Sequence, residues 1–221
     1  MPLQRETVAR AALRLLNEVG LDNLTMRRLA TYLDIQNPSL YWHFRNKQEL
    51  LNCMAALMIA EAFTELQSPE PEQDWANWLA TWARRLRKTM LAYRDGARVL
   101  AEANLLLNDF FEVIELALNI LQHAGFDEST AASGMIMVIH YVMGAAFELQ
   151  ADPSFFAYRK GEESPRAIVD EERFPRIVAF FRRAEVLSST SAETWFEEGL
   201  SLLLDGLRAN LAKEHPNATS G

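Results

Sequence analysis

Apolar residues recur with helical spacing along almost the whole chain. Val8, Ala11, Ala12, Leu15, Leu16 and Val19 fall at i, i+3, i+4, i+7, i+8 and i+11, one face of a helix that Gly20 is placed to stop. Thr25 is a good N-cap for a second helix, Thr25–Leu33, which turns Met26, Leu29, Ala30 and Leu33 inward. Asn37-Pro38, a cap followed by proline, opens a third helix to Phe44 that buries Leu40 and Phe44. Asn46-Lys47-Gln48-Glu49 is a capping-box variant that starts a longer helix through Leu50, Leu51, Met54, Leu57 and Met58.

Further on, Ser68-Pro69-Glu70-Pro71 punctuates the chain, and a helix is expected from about Asp74 to Tyr93. Asp95-Gly96 separates it from a short one. Asn108 or Asp109 can cap a helix ending at Gly125, and Asp127 can cap the next, to about Gln150. Residues 151–174, with Pro153, Gly161 and Pro165, read as a long connection. Pro175 restarts helix, and Thr190-Ser191-Ala192-Glu193 is a capping box for a last helix ending near Leu211. The tail, 213–221, is expected to be disordered. There is no internal repeat and no strand pattern, so the fold class is all-α.

Composition narrows the classes. The 221 residues are 49% hydrophobic and 24% charged, an ordinary globular balance, with a net charge of −8. A single cysteine, Cys53, cannot form an internal disulfide. No apolar run approaches the roughly 20 residues of a membrane helix, and the first residues do not open a signal peptide; a cytoplasmic protein with no membrane partner is expected. The charge is uneven. Residues 1–48 hold seven basic against four acidic residues, while the rest hold 15 against 26. Only the small cationic head suits phosphates.

That head has the spacing of a helix-turn-helix: Thr25–Leu33, a tight turn at Asp34-Ile35-Gln36, then Asn37–Phe44. The turn calls for a positive φ, and Asp34 is one of the few side chains that tolerate it. The second helix of such a unit enters the major groove with polar or flat side chains toward base edges. Asn37, Pro38, Ser39, Tyr41, Trp42 and His43 fit, flanked by Arg27, Arg28 and Lys47 for phosphate or guanine. The alternative is that Tyr41, Trp42 and His43 complete a small core, but three consecutive helical residues cannot all face inward.

Leu24-Thr25-Met26-Arg27-Arg28-Leu29-Ala30, followed by Pro38-Ser39-Leu40-Tyr41-Trp42-His43-Phe44-Arg45-Asn46-Lys47, resembles the DNA-binding domain of the TetR family of transcriptional repressors. Tyr93-Arg94-Asp95-Gly96-Ala97-Arg98-Val99, His140-Tyr141-Val142-Met143-Gly144-Ala145-Ala146-Phe147-Glu148, and Gly199-Leu200 with Leu203 and Gly206-Leu207 resemble its tetracycline-repressor-like subgroup. The resemblance implies an N-terminal three-helix helix-turn-helix domain over 1–48 and a C-terminal helical ligand-binding and dimerisation domain over 49–221, in which 49–66 is a connecting helix. It implies a homodimer on a palindromic double-stranded DNA operator, released by a small organic effector. The DNA contacts it implies are Arg27, Gln36, Asn37, Pro38, Ser39, Tyr41, Trp42, His43 and Lys47.

Trp195, Gly199, Leu202, Leu203, Gly206 and Asn210 share one face of the last helix. Each helical glycine costs about 1 kcal/mol against alanine, which close approach of another helix would offset. Packing within one chain is the other explanation. The resemblance pairs this helix with the Asp127–Gln150 helix in a four-helix bundle between two copies.

His140 and Glu148, eight residues apart, fall on nearly one helical face, with Gly144 between them. In the subgroup the matching His and Glu serve the drug's magnesium ion, and another His stands where this chain has Leu100. Leucine cannot ligate, so no metal site and no resident cofactor are expected. The positions that hold the drug's polar rim correspond to Thr64, Trp82 and Leu86. The pocket expected is therefore Phe63, Thr64, Trp82, Leu86, Leu100 and Leu116 with His140 and Glu148 as its polar end, which would suit a cationic or amine-bearing compound. An enzyme is not expected: there is no glycine-rich phosphate loop, no Glu-x-x-His metal motif and no nucleophile elbow. The alternative to a ligand-gated repressor is a constitutive DNA-binding protein, or a protein-interaction module that uses Tyr41-Trp42-His43.

Overall fold

The helices form where the apolar spacing places them, and most of their ends are fixed by the expected side chains. A computed structural model describes residues 4–64, 74–104, 108–151, 169–188 and 192–214. The head comprises α1 (Arg5–Val19), α2 (Met26–Tyr32) and α3 (Asn37–Tyr41). The body comprises α4 (Lys47–Phe63), α5 (Trp75–Ala92), α6 (Gly96–Glu102), α7 (Asn108–His123), α8 (Glu128–Ala151), α9 (Pro175–Ser188) and α10 (Ala192–Glu214). Among the described residues there is no strand.

Gly20 ends α1 at φ 75, its N–H on the Leu16 carbonyl. Thr25 Oγ1 accepts the Arg28 N–H at 3.2 Å, Asn46 Oδ1 that of Glu49 at 2.9 Å, and Asp127 Oδ1 that of Thr130 at 2.9 Å. Glu49 reaches back to the N–H of Arg45, one residue before the cap, at 3.1 Å. Three helices shift their boundaries: α7, expected to follow a cap at Asn108 or Asp109 and end at Gly125, includes both residues and ends at His123. The third helix is capped at Gln36 and stops at Tyr41 rather than Phe44, because a 3₁₀-type bond from His43 N–H to Leu40 O tightens its end. The last helix continues past Leu211 to Glu214, so residues 213 and 214 are helical instead of tail. Ser68-Pro69-Glu70-Pro71, Pro153, Gly161, Pro165, Thr190, Ser191 and the tail from 215 lie outside the described residues.

The core of the head is continuous with that of the body. Val8, Leu16, Leu29, Leu40, Phe44 and Leu50 are all fully buried, and α1 packs on α4 while α2 packs on α3. In the body α5 is central, touching α4, α6, α7, α8 and α10. Its outer face is clamped to α10. Arg84 forms a two-pronged pair with Glu197 at 2.7 and 2.6 Å, and Arg87 pairs with Glu193 while lying 4.4 Å from the Phe196 ring centroid.

α8 departs from expectation. It is long and apolar enough, by length and composition, to cross a membrane, with a mean hydropathy of 1.5 over 18 residues. The reason is that it is apolar on two sides. Ala131, Met135, Val138, Val142 and Ala146 fill the core, while Ile136 and Met137 on the other side are more than half exposed.

Candidate DNA interface, effector region and dimer face

The turn between α2 and α3 is made by Asp34 at φ 52, the left-handed residue the spacing called for. Leu40 and Phe44 hold α3 onto the head from below. That leaves Gln36, Asn37, Pro38, Ser39, Tyr41 and Trp42 exposed on the opposite side, with Trp42 89% exposed. A tryptophan that bare is no part of a core, so the core explanation of this tripeptide fails. His43 is half-buried and Arg27 is exposed beside the turn. Arg28 and Lys47 are less free than their sequence positions suggest. Arg28 donates to Asn23 O at 3.1 Å, and Lys47 Nζ to Leu21 O at 3.0 Å, tying α4 to the α1–α2 turn. Sequence reading missed Arg5: its guanidinium donates to the His43 carbonyl and lies 4.5 Å from the Phe44 ring centroid, behind the recognition helix. No local pattern could signal a contact spanning 38 residues.

The head is bolted to the body through α6. At its N-terminal end Asp95, left-handed at φ 56, accepts the Leu21 N–H at 2.8 Å, and Arg98 grips Asp22 at 2.8 and 3.2 Å. The Arg98 guanidinium holds the Asp22 carboxyl below the usual carboxylate range. At its C-terminal end Gln48 donates to Glu102 O at 2.8 Å, and Asn52 accepts the Asn104 N–H at 2.9 Å. Gln150, from the end of α8, stitches the α5–α6 turn. Its amide nitrogen donates to Met90 O and Tyr93 O, and its oxygen accepts the Ala97 N–H at 2.9 Å. A second tie runs on the other side: Arg10 pairs with Glu61 at 3.0 Å, and Tyr93 donates to Glu61 at 2.7 Å. Burial, then that carboxylate, push the Tyr93 phenol up to about 12.

Part of the expected effector wall gathers around α5. Trp82 is fully buried and stacked on Phe63, ring centroids 5.3 Å apart and 18° from parallel. Leu86 and Leu100 are buried and Leu116 is half-buried. Thr64 is exposed, its hydroxyl donating to Ala60 O at 2.6 Å. Among the described residues no acceptor meets the buried Trp82 indole N–H. An unsatisfied buried donor costs about 1–3 kcal/mol. Among the described residues no three His, Cys, Asp or Glu side chains could hold a metal ion.

His140 and Glu148 do not join that wall. Both are exposed, as is Gly144. The helical period explains it: with Val138, Val142 and Ala146 inward, residues 140, 144 and 148 fall on the outer side of α8. They share that side with Ile136 and Met137, and on α10 Leu202 is 74% exposed. A Cβ at Gly144 or Gly206 would meet nothing within 4 Å in this chain, whereas one at Gly199 would strike the Tyr141 hydroxyl. The two α10 glycines thus separate. Gly199 serves packing within the chain, beneath the Tyr141 hydroxyl that bonds Phe196 O at 2.8 Å. Gly206 faces outward.

This layout matches known proteins along most of its length. Residues 9–54 match the family model of bacterial regulatory proteins of the tetR family, and residues 68–211 match the tetracyclin repressor-like C-terminal domain. The chain belongs to the TetR family. The class A tetracycline repressor of transposon 1721 from Escherichia coli is 38% identical over 205 residues, 93% of this chain and 90% of that protein. ActR of Streptomyces coelicolor, solved with actinorhodin, superposes with a TM-score of 0.80 at 29% identity, covering 96% of this chain and 99% of its own. A TetR variant from Acinetobacter baumannii, solved with minocycline, gives 0.72 at 34%, covering 94% and 97%. This TetR-family chain is a DNA-binding transcriptional regulator that works as a dimer, and the bare side of α8 and α10 is where the resemblance puts the second copy.

Proposed function

We propose that the dimer represses transcription by gripping a palindromic operator with its two recognition helices, and lets go when a small organic molecule settles beside Trp82. The observation that carries this is the double attachment of α6. One seven-residue helix is fixed at one end to the Leu21–Asp22 turn of the head and at the other to Gln48 and Asn52 of α4, and carries Leu100 and Val99 into the core between them. A ligand that displaces Leu100 must move α6, and α6 cannot move without pulling on the Leu21–Asp22 turn or on Gln48 and Asn52 of α4. Effector binding then has a differential contact in the two head positions, which any ligand-driven switch requires.

The contacts on DNA are Gln36, Asn37, Pro38, Ser39, Tyr41, Trp42 and His43, with Arg27 toward the backbone; Arg28 and Lys47 reach DNA only by sharing the donors they use internally. The effector contacts are Phe63, Trp82, Leu86, Leu100 and Leu116. Thr64 stands at the rim, and His140 and Glu148 serve the dimer face. The protein performs no chemistry on its effector, and it acts in the cytosol, where the DNA is. The test is operator selection from random duplexes, then titration with salt. Affinity that falls steeply as salt rises, and is lost in Tyr41→Ala with the dimer intact, supports the assignment. Unchanged affinity in that variant removes it.

A further inference from the structure

The surface of the body carries a groove that neither the DNA contacts nor the effector wall uses. Arg85, Lys88, Thr89 and Ala92 recur at i, i+3, i+4 and i+7, so they share one face of α5. It is separate from the side that buries Trp82 and Leu86, and from the side where Arg84 and Arg87 meet α10. Across from it stands the last turn of α4, with Glu61 and Ala62, and together with Tyr93 these residues line a groove of about 350 Å³ open to solvent. That volume suits a small molecule.

The charges in the groove do not cancel. Both oxygens of Glu61 are taken, one by Arg10 at 3.0 Å and the other by the Tyr93 hydroxyl at 2.7 Å. Arg85 is half-buried and donates to Thr64 O at 2.9 Å, which ties its guanidinium to the end of α4 and leaves its remaining N–H groups to give. Neither Arg85 nor the exposed Lys88 has a carboxylate partner among the described residues. Residues 49–221 hold 26 acidic against 15 basic residues, so two cations left together without a carboxylate, in a concavity, are placed for an anion from outside.

We propose that this groove binds a small phosphate monoester, with Arg85 and Lys88 against the dianion, the Thr89 hydroxyl donating to a phosphate oxygen, and the organic part lying on Ala62, Ala92 and the Tyr93 ring. Two fixed positive charges match a dianion, and a guanidinium fork matches two phosphate oxygens. A carboxylate would offset only one of them. A DNA phosphate is a monoanionic diester on a wide duplex, which a groove of this size does not admit. The site lies apart from Trp82 and stands whether or not a ligand settles there.

The test uses the full-length dimer and phenyl phosphate, with benzoate and phenol as monoanionic and neutral controls, at one fixed ionic strength because exposed charges are screened by salt. Calorimetry should show saturable binding of phenyl phosphate, about tenfold tighter than that of benzoate, and none of phenol. Lys88→Gln and Arg85→Gln should each weaken it about tenfold, the loss of one charge-assisted hydrogen bond. Lys88 is exposed, so its replacement leaves the fold intact, which the melting temperature without ligand checks. Backbone amide resonances locate the anion: those of Glu61, Arg85, Lys88 and Thr89 should move together along the titration. No saturable binding, equal affinity in Lys88→Gln, benzoate bound as tightly as phenyl phosphate, or shifts confined to Asn37–His43 of the cationic head would each overturn the proposal.

Discussion

The carboxylate of Asp95 accepts the backbone N–H of Leu21 at 2.8 Å, across 74 positions of sequence. Asp95 makes this bond from a left-handed backbone conformation, at φ 56. Head and body are therefore joined by a residue that has both an unusual backbone and an unusual partner. Two substitutions separate the contributions. Asp95→Gly keeps the backbone at ease and removes the acceptor, which should cost about 1 kcal/mol. Asp95→Ala should cost roughly 1 kcal/mol more, the left-handed penalty of a Cβ. Thermal melts check the pair; equal midpoints for the two variants would show that the conformation carries no cost.

Leu40 and Trp42 sit two residues apart with opposite fates, one fully buried and one 89% exposed. Leu40→Ala should destabilise the head by about 2–5 kcal/mol. Trp42→Ala should leave stability within about 0.5 kcal/mol and lower operator affinity about tenfold. Denaturation curves and gel-shift titrations separate the two; a large loss of stability in Trp42→Ala would return that ring to the core.

Gly199 and Gly206 make a paired test of the dimer face. Gly199→Ala should destabilise each chain, because the new methyl meets the Tyr141 hydroxyl. Gly206→Ala meets nothing within its own chain and should raise helix propensity by about 1 kcal/mol. Sedimentation equilibrium should nonetheless find its dimer weakened. A dimer unchanged or tightened by Gly206→Ala places the second copy elsewhere.

The Tyr93 phenol, pushed up to about 12 by burial and by Glu61, makes stability depend on alkaline pH. A raised folded-state value means a contribution fully present below the unfolded value near 10 and lost as pH climbs through about 12. Tyr93→Phe should abolish that loss and remove one late-ionising tyrosine from the phenolate absorbance, leaving Tyr141, whose phenol burial also pushes up.

On the acid side, Arg84 holds the Glu197 carboxyl below its usual value, and Arg98 does the same for Asp22. Depressed carboxylates contribute stability above the unfolded value of about 4 and lose it as pH falls through the folded-state value. Glu197→Gln should flatten the acid limb of a melting-temperature profile; an unchanged limb would show that the α5–α10 clamp is immaterial to stability.

The sequence by itself determined the helices, most of their caps and which side chains of α3 stay exposed. These depend on neighbours within four residues, which spacing reports directly: Thr25, Asp34, Asn46 and Asp127 act where local chemistry places them. Composition also separated the cationic head from the acidic body. Only the tertiary structure decided which face of α8 meets the core, and so moved His140 and Glu148 away from Trp82. The α8 pattern is apolar on both sides, and periodicity alone cannot rank two apolar faces. Arg5 on His43, Asp95 on Leu21 and Gln150 on the α5–α6 turn are joints between segments 38 to 74 residues apart. Their partners are backbone groups, which every residue carries alike, so nothing in the order of side chains marks them in advance.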